Sequence, residues 1–182
     1  QLGSNEGYNL KLLSLNINGV NEEKISKLYN FKHDIIMIQE THNNFTKEII
    51  EKTERNLKGV VLLSNAKFND KKGGVALIVR NKVFHWERVE EGEFFKGRLL
   101  HIKIGDLNII NTYIPANKYE KASFVKKLDK YLNKFSMERV IMGGDFNWIC
   151  DSIDRMGGQN FHDKVITEQF TKMFEKQTYG YI

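Results

Sequence analysis

Apolar residues recur along the chain with two different spacings. Short apolar runs bounded by glycine or polar residues predict buried strands, and apolar residues three and four positions apart predict helices. The short apolar runs predict strands at residues 8–15, 35–38, 60–64, 75–80, 83–89, 98–104, 107–113 and 140–142.

The helical spacing predicts four amphipathic helices. The first covers residues 22–31 and places Ile25 and Leu28 on one face. The second runs to Leu57 and begins after Thr46, whose side chain can cap it. The others cover residues 119–135 and 164–176. Lysines lie opposite the apolar face of the third helix, and solvation alone explains such a surface.

The order of these elements predicts a mixed α/β domain. A strand, a helix and a second strand open the chain, as in a βα-type unit. The strands between residues 60 and 113 follow one another closely, as in an antiparallel meander, and the clearest hairpin turns at Gly105 and Asp106. Residues 150–160 form a polar loop. There are no repeats or linkers, so residues 8–182 are expected to form one domain.

Polar side chains follow four of the predicted strands. Asp145 and Asn147 follow residues 140–142 and two glycines, which we interpret as a sharp exit from the strand. Asn16 and Glu40 follow the first two strands, and Tyr113 ends another. Any one of these positions is also explained by an ordinary turn, where Asp and Asn are common. Their repetition at four strand ends favours a shared site at one mouth of the fold.

These side chains form an oxygen-only set of candidate ligands. Carboxylate and amide oxygens suit Mg²⁺ or Mn²⁺, whereas one cysteine and scattered histidines do not form a zinc pattern. A metal here can neutralise a phosphate oxygen, Asp145 can orient or deprotonate water, and Tyr113 can donate a hydrogen bond. This combination suits the hydrolysis of a phosphate ester. The structural alternatives are a turn cap for Glu40, core packing for Tyr113 and a surface position for His42.

Composition narrows the class of protein. The chain has 182 residues, 41% of them apolar, a net charge of +5 and a pI of about 9.1. The positive charge weakly favours a phosphate-bearing partner. No apolar run is long enough to span a bilayer, and no signal-peptide pattern is present. A single cysteine, Cys150, excludes an internal disulfide and indicates a reducing compartment. Residues 1–7 are expected to be a cloning remnant or a disordered N-terminus.

Five motifs together resemble those of the endonuclease/exonuclease/phosphatase superfamily, and they cover nearly the whole chain. They are LNING from Leu15, IQETH from Ile38, GGVA from Gly73, NTYIP from Asn111 and MGGDFN from Met142. Within that superfamily the chain is most similar to the endonuclease domain of non-LTR retrotransposons. The NING and QETH motifs and the Ile153-Asp154-Arg155 segment carry this narrower resemblance.

The resemblance implies a four-layer αββα sandwich, with two mixed, largely antiparallel sheets packed face to face and helices on both outer sides. It implies Mg²⁺-dependent nicking of double-stranded DNA, giving a 3′ end that primes reverse transcription. Glu40 would be the metal ligand with Asn16 beside it. Asp145 would orient or activate water with the help of Asn147, and Tyr113 would contact the scissile phosphate.

The resemblance also implies partners and a location. Arg155, His42 and Asn117 would contact DNA. The domain would be fused to a reverse transcriptase, synthesised in the cytoplasm and active on chromosomal DNA in the nucleus, without secretion or membrane attachment.

The family pattern continues beyond residue 182 with further strands and a closing Ser-Asp-His motif. We therefore expect the C-terminal strands to be missing here and to be supplied by a further segment or a partner, and we expect residues 1–182 alone to nick DNA weakly or not at all. Two other functions stay open. One is a phosphatase or phosphodiesterase acting on inositol phosphates or lipids. The other is a catalytically incomplete DNA-binding fragment.

Overall fold

The computed structural model describes residues 9–67, 72–83, 85–135 and 138–147, and the backbone of residues 179–181. These residues form two sheets. The first has the strand order β1 (Leu12–Asn16), β2 (Ile35–Gln39), β4 (Val75–Arg80) and β3 (Gly59–Ser64). The second has the order β5 (Trp86–Val89), β6 (Leu99–Ile104), β7 (Leu107–Tyr113), β8 (Arg139–Asp145) and β9 (Tyr179–Tyr181).

Both sheets are mixed. The pairs β1–β2, β7–β8 and β8–β9 are parallel, and the other four pairs are antiparallel. Parallel pairing brings the C-terminal ends of β1 and β2 to one edge of the first sheet and those of β7 and β8 to one edge of the second.

Helices cover the outer faces of both sheets. In β2, Ile36 and Ile38 pack against α1 (Glu22–Leu28) and α2 (Lys47–Leu57). Ile35 and Met37 point to the opposite face and pack against the second sheet. The outer face of that sheet packs against α3 (Lys118–Leu132). The layers are therefore helix, sheet, sheet and helix, which confirms the predicted αββα sandwich. No helix in the described ranges is long and apolar enough to cross a bilayer.

Buried polar side chains join the two sheets. Asn111 of β7 donates through Nδ2 to the carbonyls of Ile38 (3.0 Å) and Ala76 (2.8 Å) in the first sheet. Its Oδ1 accepts a hydrogen bond of 2.7 Å from Nε2 of Gln39, which also donates to Ser14 Oγ at 3.1 Å. These hydrogen bonds set the relative position of β2 and β7 at the end where both strands finish.

Several strands begin later than predicted. β1 begins at Leu12 and not at residue 8, because Lys11 hydrogen-bonds to Asp34 through its backbone N–H and carbonyl. β5 begins at Trp86 and not at residue 83. There the Val83 N–H donates to the Arg80 carbonyl in a turn, and His85 has a φ of +56°. β6 begins at Leu99, one residue late.

The helices and the central strand also differ in length from the predictions. α1 ends at Leu28 and not at residue 31, since a turn follows. Thr46 caps α2 as predicted. α3 runs over Lys118–Leu132, followed by a 3₁₀ turn (Asn133–Phe135). β8 continues through both glycines to Asp145, so the predicted exit at the glycines is wrong. The predicted loop 150–160 and helix 164–176 lie outside the described residues.

A buried histidine lies between β6 and α3. His101 is fully buried, and its Nδ1 and Nε2 lie 2.7 Å from the Tyr131 hydroxyl and 2.9 Å from Asn108 Oδ1. Asn108 in turn donates to Glu138, which pairs with Lys103. Burial lowers the pKa of His101 from 6.5 to about 4, although the Asn108 hydrogen bond and the Glu138 charge oppose this. The imidazole is therefore neutral at pH 7.

We predict that acid destabilises the fold through His101. The unfolded histidine binds a proton near pH 6.5 and the folded one only near pH 4. Stability is therefore full above pH 6.5 and falls as the pH drops towards 4, by at most about 3 kcal/mol from this group. Urea unfolding at pH 7.0 and 4.5 measures it. His101→Phe is expected to reduce the loss between the two pH values, and His85→Asn, at an exposed position, is the matched control. An unchanged loss in His101→Phe would refute the assignment.

Candidate active site

The four predicted strand ends meet at one place. Asn16 ends β1, Glu40 follows β2, Tyr113 ends β7 and Asp145 ends β8. Hydrogen bonds connect the four side chains: Asn16 bonds to Glu40 and to Asp145, and Tyr113 bonds to Glu40. The first two come from one sheet and the last two from the other, so the site spans the gap between the sheets.

Asn16 is the link between the two acids. Its Nδ2 donates to Glu40 Oε1 at 2.9 Å and to Asp145 Oδ2 at 2.8 Å. Its Oδ1 accepts from the backbone N–H of Asn18 at 2.9 Å, which fixes the orientation of the amide. Asn16 thus presents N–H groups to the carboxylates and holds them a few ångströms apart.

The two glycines of β8 allow this close approach. A Cβ at Gly143 would lie 2.6 Å from Met37 Sδ of the facing sheet. A Cβ at Gly144, whose φ is +148°, would lie 1.9 Å from the Thr112 carbonyl oxygen. No side chain fits at either position without movement of the neighbours. Gly143 therefore lets β8 run close to the first sheet, so that Asp145 reaches Asn16, whereas Gly144 lets β8 lie close to β7 within its own sheet.

Glu40 is held as a carboxylate in a constrained conformation. Its φ is +53°, a region that non-glycine residues rarely occupy and that often marks functional sites. Burial alone would raise its pKa, but hydrogen bonds from Asn16, Tyr113 and His42 outweigh that effect, and the net pKa is lowered. Glu40 is therefore ionised at neutral pH and available to a cation.

Tyr113 is a buried phenol at the edge of the site. Only 4% of its surface is exposed, and its pKa is raised to about 12 by burial, then by the hydrogen bond to Glu40 and the charge of Glu40. The guanidinium carbon of Arg98 lies 4.7 Å from the ring centroid. Tyr113 therefore keeps its proton at neutral pH and acts as a hydrogen-bond donor.

Asp145 is oriented by the backbone of the loop that follows it. Its Oδ1 accepts from the Asn147 N–H at 2.9 Å, while Oδ2 accepts from Asn16. The side-chain amide of Asn147 donates to the Ile114 carbonyl at 2.8 Å and is not hydrogen-bonded to Asp145. Lys121 donates to the Asn147 carbonyl. Asn147 thus orients Asp145 through its main chain and not through its side-chain amide.

The donor set fits a small divalent cation. Among the described residues, no group of three or more His, Cys, Asp and Glu side chains forms a ready-made metal site. Magnesium does not need one, because it is usually held by one or two carboxylates and keeps several waters. Glu40 and Asp145 supply two carboxylates, both linked to Asn16. Since Asn16 turns its N–H groups towards them, its role as a direct ligand stays a prediction that would need the amide to rotate.

Of the three residues predicted to contact DNA, the structure describes His42 and Asn117. His42 Nε2 is 3.4 Å from Glu40 Oε2, at the rim of the site. Asn117 is exposed, and its Oδ1 caps α3 by accepting from the N–H groups of Tyr119 and Glu120. Arg155 lies outside the described residues.

Two site residues were missed from the sequence. Lys24 donates through Nζ to three consecutive carbonyls, those of Ile17 (2.9 Å), Asn18 (2.6 Å) and Gly19 (3.0 Å), in the loop that follows Asn16. Arg98 packs on the ring of Tyr113. No local signal distinguishes Lys24 from its neighbouring lysines, whereas Arg98 is the first residue of the predicted strand that forms a hairpin with the strand of Tyr113.

The residues of the site lie within the part of the chain that matches a family model. The model of the endonuclease/exonuclease/phosphatase family matches residues 13–163, a range that contains every residue of the four-strand cluster. The chain belongs to this family. The family takes its name from nucleases and phosphatases, which are hydrolases.

A transposon protein is similar in sequence to this family member. The chain is 29% identical over 156 residues to the "Transposon TX1 uncharacterized 149 kDa protein" of Xenopus laevis. That match covers 80% of the chain but only 12% of the much longer frog protein.

Solved structures of the same fold include two AP endonucleases and a 3′ phosphatase. An AP endonuclease from Archaeoglobus fulgidus is 23% identical with a TM-score of 0.68, and the match covers 91% of this chain and 70% of that one. The 3′ phosphatase NExo from Neisseria, bound to a product DNA hairpin, is 15% identical with a TM-score of 0.72, covering 92% and 71%. AP endonuclease LMAP from Leishmania major is 16% identical with a TM-score of 0.72, covering 92% and 66%.

We predict that Lys24 stabilises the loop beside Asn16. Lys24→Met removes the donor to three carbonyls and is expected to cost about 1–3 kcal/mol of unfolding free energy. It should also speed hydrogen exchange at the amides of Gly19 and Val20, which bond to the Glu40 and Thr41 carbonyls. Lys27→Met, on the same helix but paired only with Glu23 in the exposed Lys27–Glu23 salt bridge, is the matched control. Equal effects of the two substitutions would rule out a specific role for Lys24.

Proposed function

We propose that this family member is a metal-dependent DNA endonuclease that nicks one strand of double-stranded DNA. The observation that carries the proposal is the bridge from Asn16 to both Glu40 and Asp145, with the protonated Tyr113 beside it. Two carboxylates and a phenol at one point are the groups that phosphodiester hydrolysis needs. The sequence similarity to a transposon protein and the net charge of +5 support DNA as the substrate.

Each residue has a distinct part in the proposed reaction. Glu40 would hold a Mg²⁺ or Mn²⁺ ion, and a bound ion supplies charge neutralisation at the phosphate oxygens. Asp145, fixed at both oxygens by Asn16 and the Asn147 N–H, would orient the attacking water and accept its proton. Tyr113 would donate its hydrogen bond to a phosphate oxygen, which its raised pKa keeps possible over the whole physiological range.

The biological setting is part of the proposal. The nicked strand would give a 3′ end that primes reverse transcription, and the domain would be fused to a reverse transcriptase and act on chromosomal DNA in the nucleus. The sequence similarity to a 149 kDa transposon protein supports this setting. A DNA-bound structure of the same fold supports the substrate.

We predict that a chain extended through the closing Ser-Asp-His motif nicks supercoiled plasmid, and that this nicking requires the two acids and a divalent metal. Asp145→Asn and Glu40→Gln, which keep the shape of each side chain, are each expected to slow nicking at least about a hundredfold, and EDTA should abolish it. Glu51→Gln, an exposed glutamate of α2, is the control. Gel electrophoresis measures the conversion of supercoiled to open-circular plasmid.

Other outcomes of that experiment decide between the remaining functions. Nicking that survives EDTA or both acid substitutions would overturn the proposal. Salt-dependent DNA binding without turnover would favour a DNA-binding fragment. Stronger competition by phosphoinositides than by unlabelled DNA would favour a phosphatase or lipid phosphodiesterase.

We also predict that Tyr113 sets the pH range of metal binding. Its hydrogen bond lowers the pKa of Glu40, so Tyr113→Phe should raise that pKa, and protonation should then displace Mg²⁺ at a higher pH than in the wild type. Isothermal titration with Mg²⁺ across pH 4–7 measures the midpoint. Tyr119→Phe, at an exposed tyrosine, is the control. A midpoint that stays in place or moves down in Tyr113→Phe would be inconsistent with this coupling.

A further inference from the structure

The strand β3 lies at an edge of the first sheet. Among the described residues it pairs with β4 alone, so its other side presents backbone N–H and carbonyl groups without a strand to bind them. Its sequence, GVVLLS, contains no charge and no proline and consists largely of valine and leucine. An edge strand of this composition is a template on which another chain can add a strand.

Every second residue of β3 directs its backbone groups outwards. In an antiparallel pair, alternate residues exchange hydrogen bonds with the partner strand, and the residues between them do not. The Lys58 carbonyl, at the residue before β3, accepts a hydrogen bond of 2.8 Å from the Asn81 N–H, and this bond fixes the alternation. The N–H and carbonyl groups of Gly59, Val61 and Leu63 therefore point away from β4.

Two charged side chains bind to this open edge. Glu54 of α2 accepts a hydrogen bond of 3.0 Å from the Val61 N–H through its Oε1. Arg88 of β5 donates through Nη1 to the Leu63 carbonyl at 3.4 Å. The two side chains come from a helix and from the other sheet, yet both contact the same edge. Charged side chains at an edge are a common means of keeping other strands away.

The side chains of β3 offer apolar surface to a partner. Val60 is 37% exposed, and Val61, Leu62 and Leu63 are only partly buried. A groove of about 570 Å³ opens beside the end of the strand, where Leu63 and Arg88 line it. A partner strand would therefore find room there, and its association would bury apolar surface, which is favourable.

We infer that the edge of β3 is a pairing surface for a second copy of this chain, and that Glu54 and Arg88 keep this surface closed. The strand has no charge, so two copies of it do not repel each other. Antiparallel pairing about a twofold axis at Val61 places Val61 opposite its equivalent and Gly59 opposite Leu63 of the other copy. Each of these pairs can exchange two hydrogen bonds.

The two charged side chains occupy groups that this pairing needs. The central pair uses the Val61 N–H, which Glu54 binds, and the flanking pairs use the Leu63 carbonyl, which Arg88 binds. A second copy must displace both side chains before it can pair, so the chain stays monomeric while they are in place. This inference does not depend on the proposed nuclease function.

The test measures the oligomeric state of the full chain by sedimentation equilibrium over a range of concentrations. The wild type is expected to remain a monomer of 21.3 kDa. Glu54→Ala combined with Arg88→Ala should dimerise with a dissociation constant at least about tenfold below that of the wild type, because the freed backbone groups can then pair. Glu51→Ala combined with Arg55→Ala removes the same charges from exposed positions of α2 and is the matched control.

Hydrogen exchange and a further substitution identify the surface. In the dimer of the double variant, the amides of Val61 and Leu63 should exchange more slowly as the protein concentration rises. Adding Val60→Lys puts a charge into the pairing strand at an exposed position and should restore the monomer. Adding Phe31→Lys instead, at an exposed apolar residue outside β3, should leave the dimer in place.

A conservative variant separates the hydrogen bond from the charge. Glu54→Gln keeps an oxygen that can accept from the Val61 N–H, so it should associate less than Glu54→Ala. Thermal unfolding confirms that each variant folds. A double variant that stays monomeric, or one that dimerises without slower exchange at Val61 and Leu63, would overturn the inference. A wild type that already dimerises through these amides would refute the role of the two charged side chains.

Discussion

The candidate site depends on the distance between two sheets, and the buried Asn111 amide sets that distance. It hydrogen-bonds to the carbonyls of Ile38 and Ala76 in the facing sheet and to Gln39. These groups have no access to water, so any separation of the sheets would leave them unsatisfied. The hydrogen bonds hold β2 against β7 next to the site, since Gln39 immediately precedes Glu40 and Asn111 lies two residues before Tyr113. Because Gly143 has no side chain, β8 can also lie close to Met37 of the first sheet.

Electrostatics then determine what such a site can accept. Asn16 holds two carboxylates together with two N–H groups, and its hydrogen bond to Glu40, with those from Tyr113 and His42, keeps Glu40 ionised in spite of its burial. Two acids this close attract cations, and the phenol of Tyr113 stays neutral between them and Arg98. The left-handed backbone of Glu40 shows that the surrounding structure holds this residue against its preferred conformation.

The pattern of the sequence predicted a mixed α/β domain, and the resemblance to the family implied its four layers. The convergence of Asn16, Glu40, Tyr113 and Asp145 was predictable because it follows from where apolar strands end. Other features depend on residues far away in the chain. The sequence predicted a turn at Gly143 and Gly144. The structure explains Gly143 by Met37 of the facing sheet and Gly144 by the Thr112 backbone of the neighbouring strand. The side chain of Asn147 bonds to Ile114, and Lys24 reaches back from a helix.

Dividing the site between two sheets makes it sensitive to sliding. A shift of one sheet by a single residue along the strands moves its side chains by about 3.3 Å. That shift would separate Asp145 from Asn16, yet it would leave every strand and helix intact. Substitutions that loosen the apolar contacts of Met37, Leu100 or Ile109 should thus be tolerated by the fold more readily than by the site. In directed evolution of this scaffold, active variants would therefore accept fewer substitutions between the two sheets than on the surface helices.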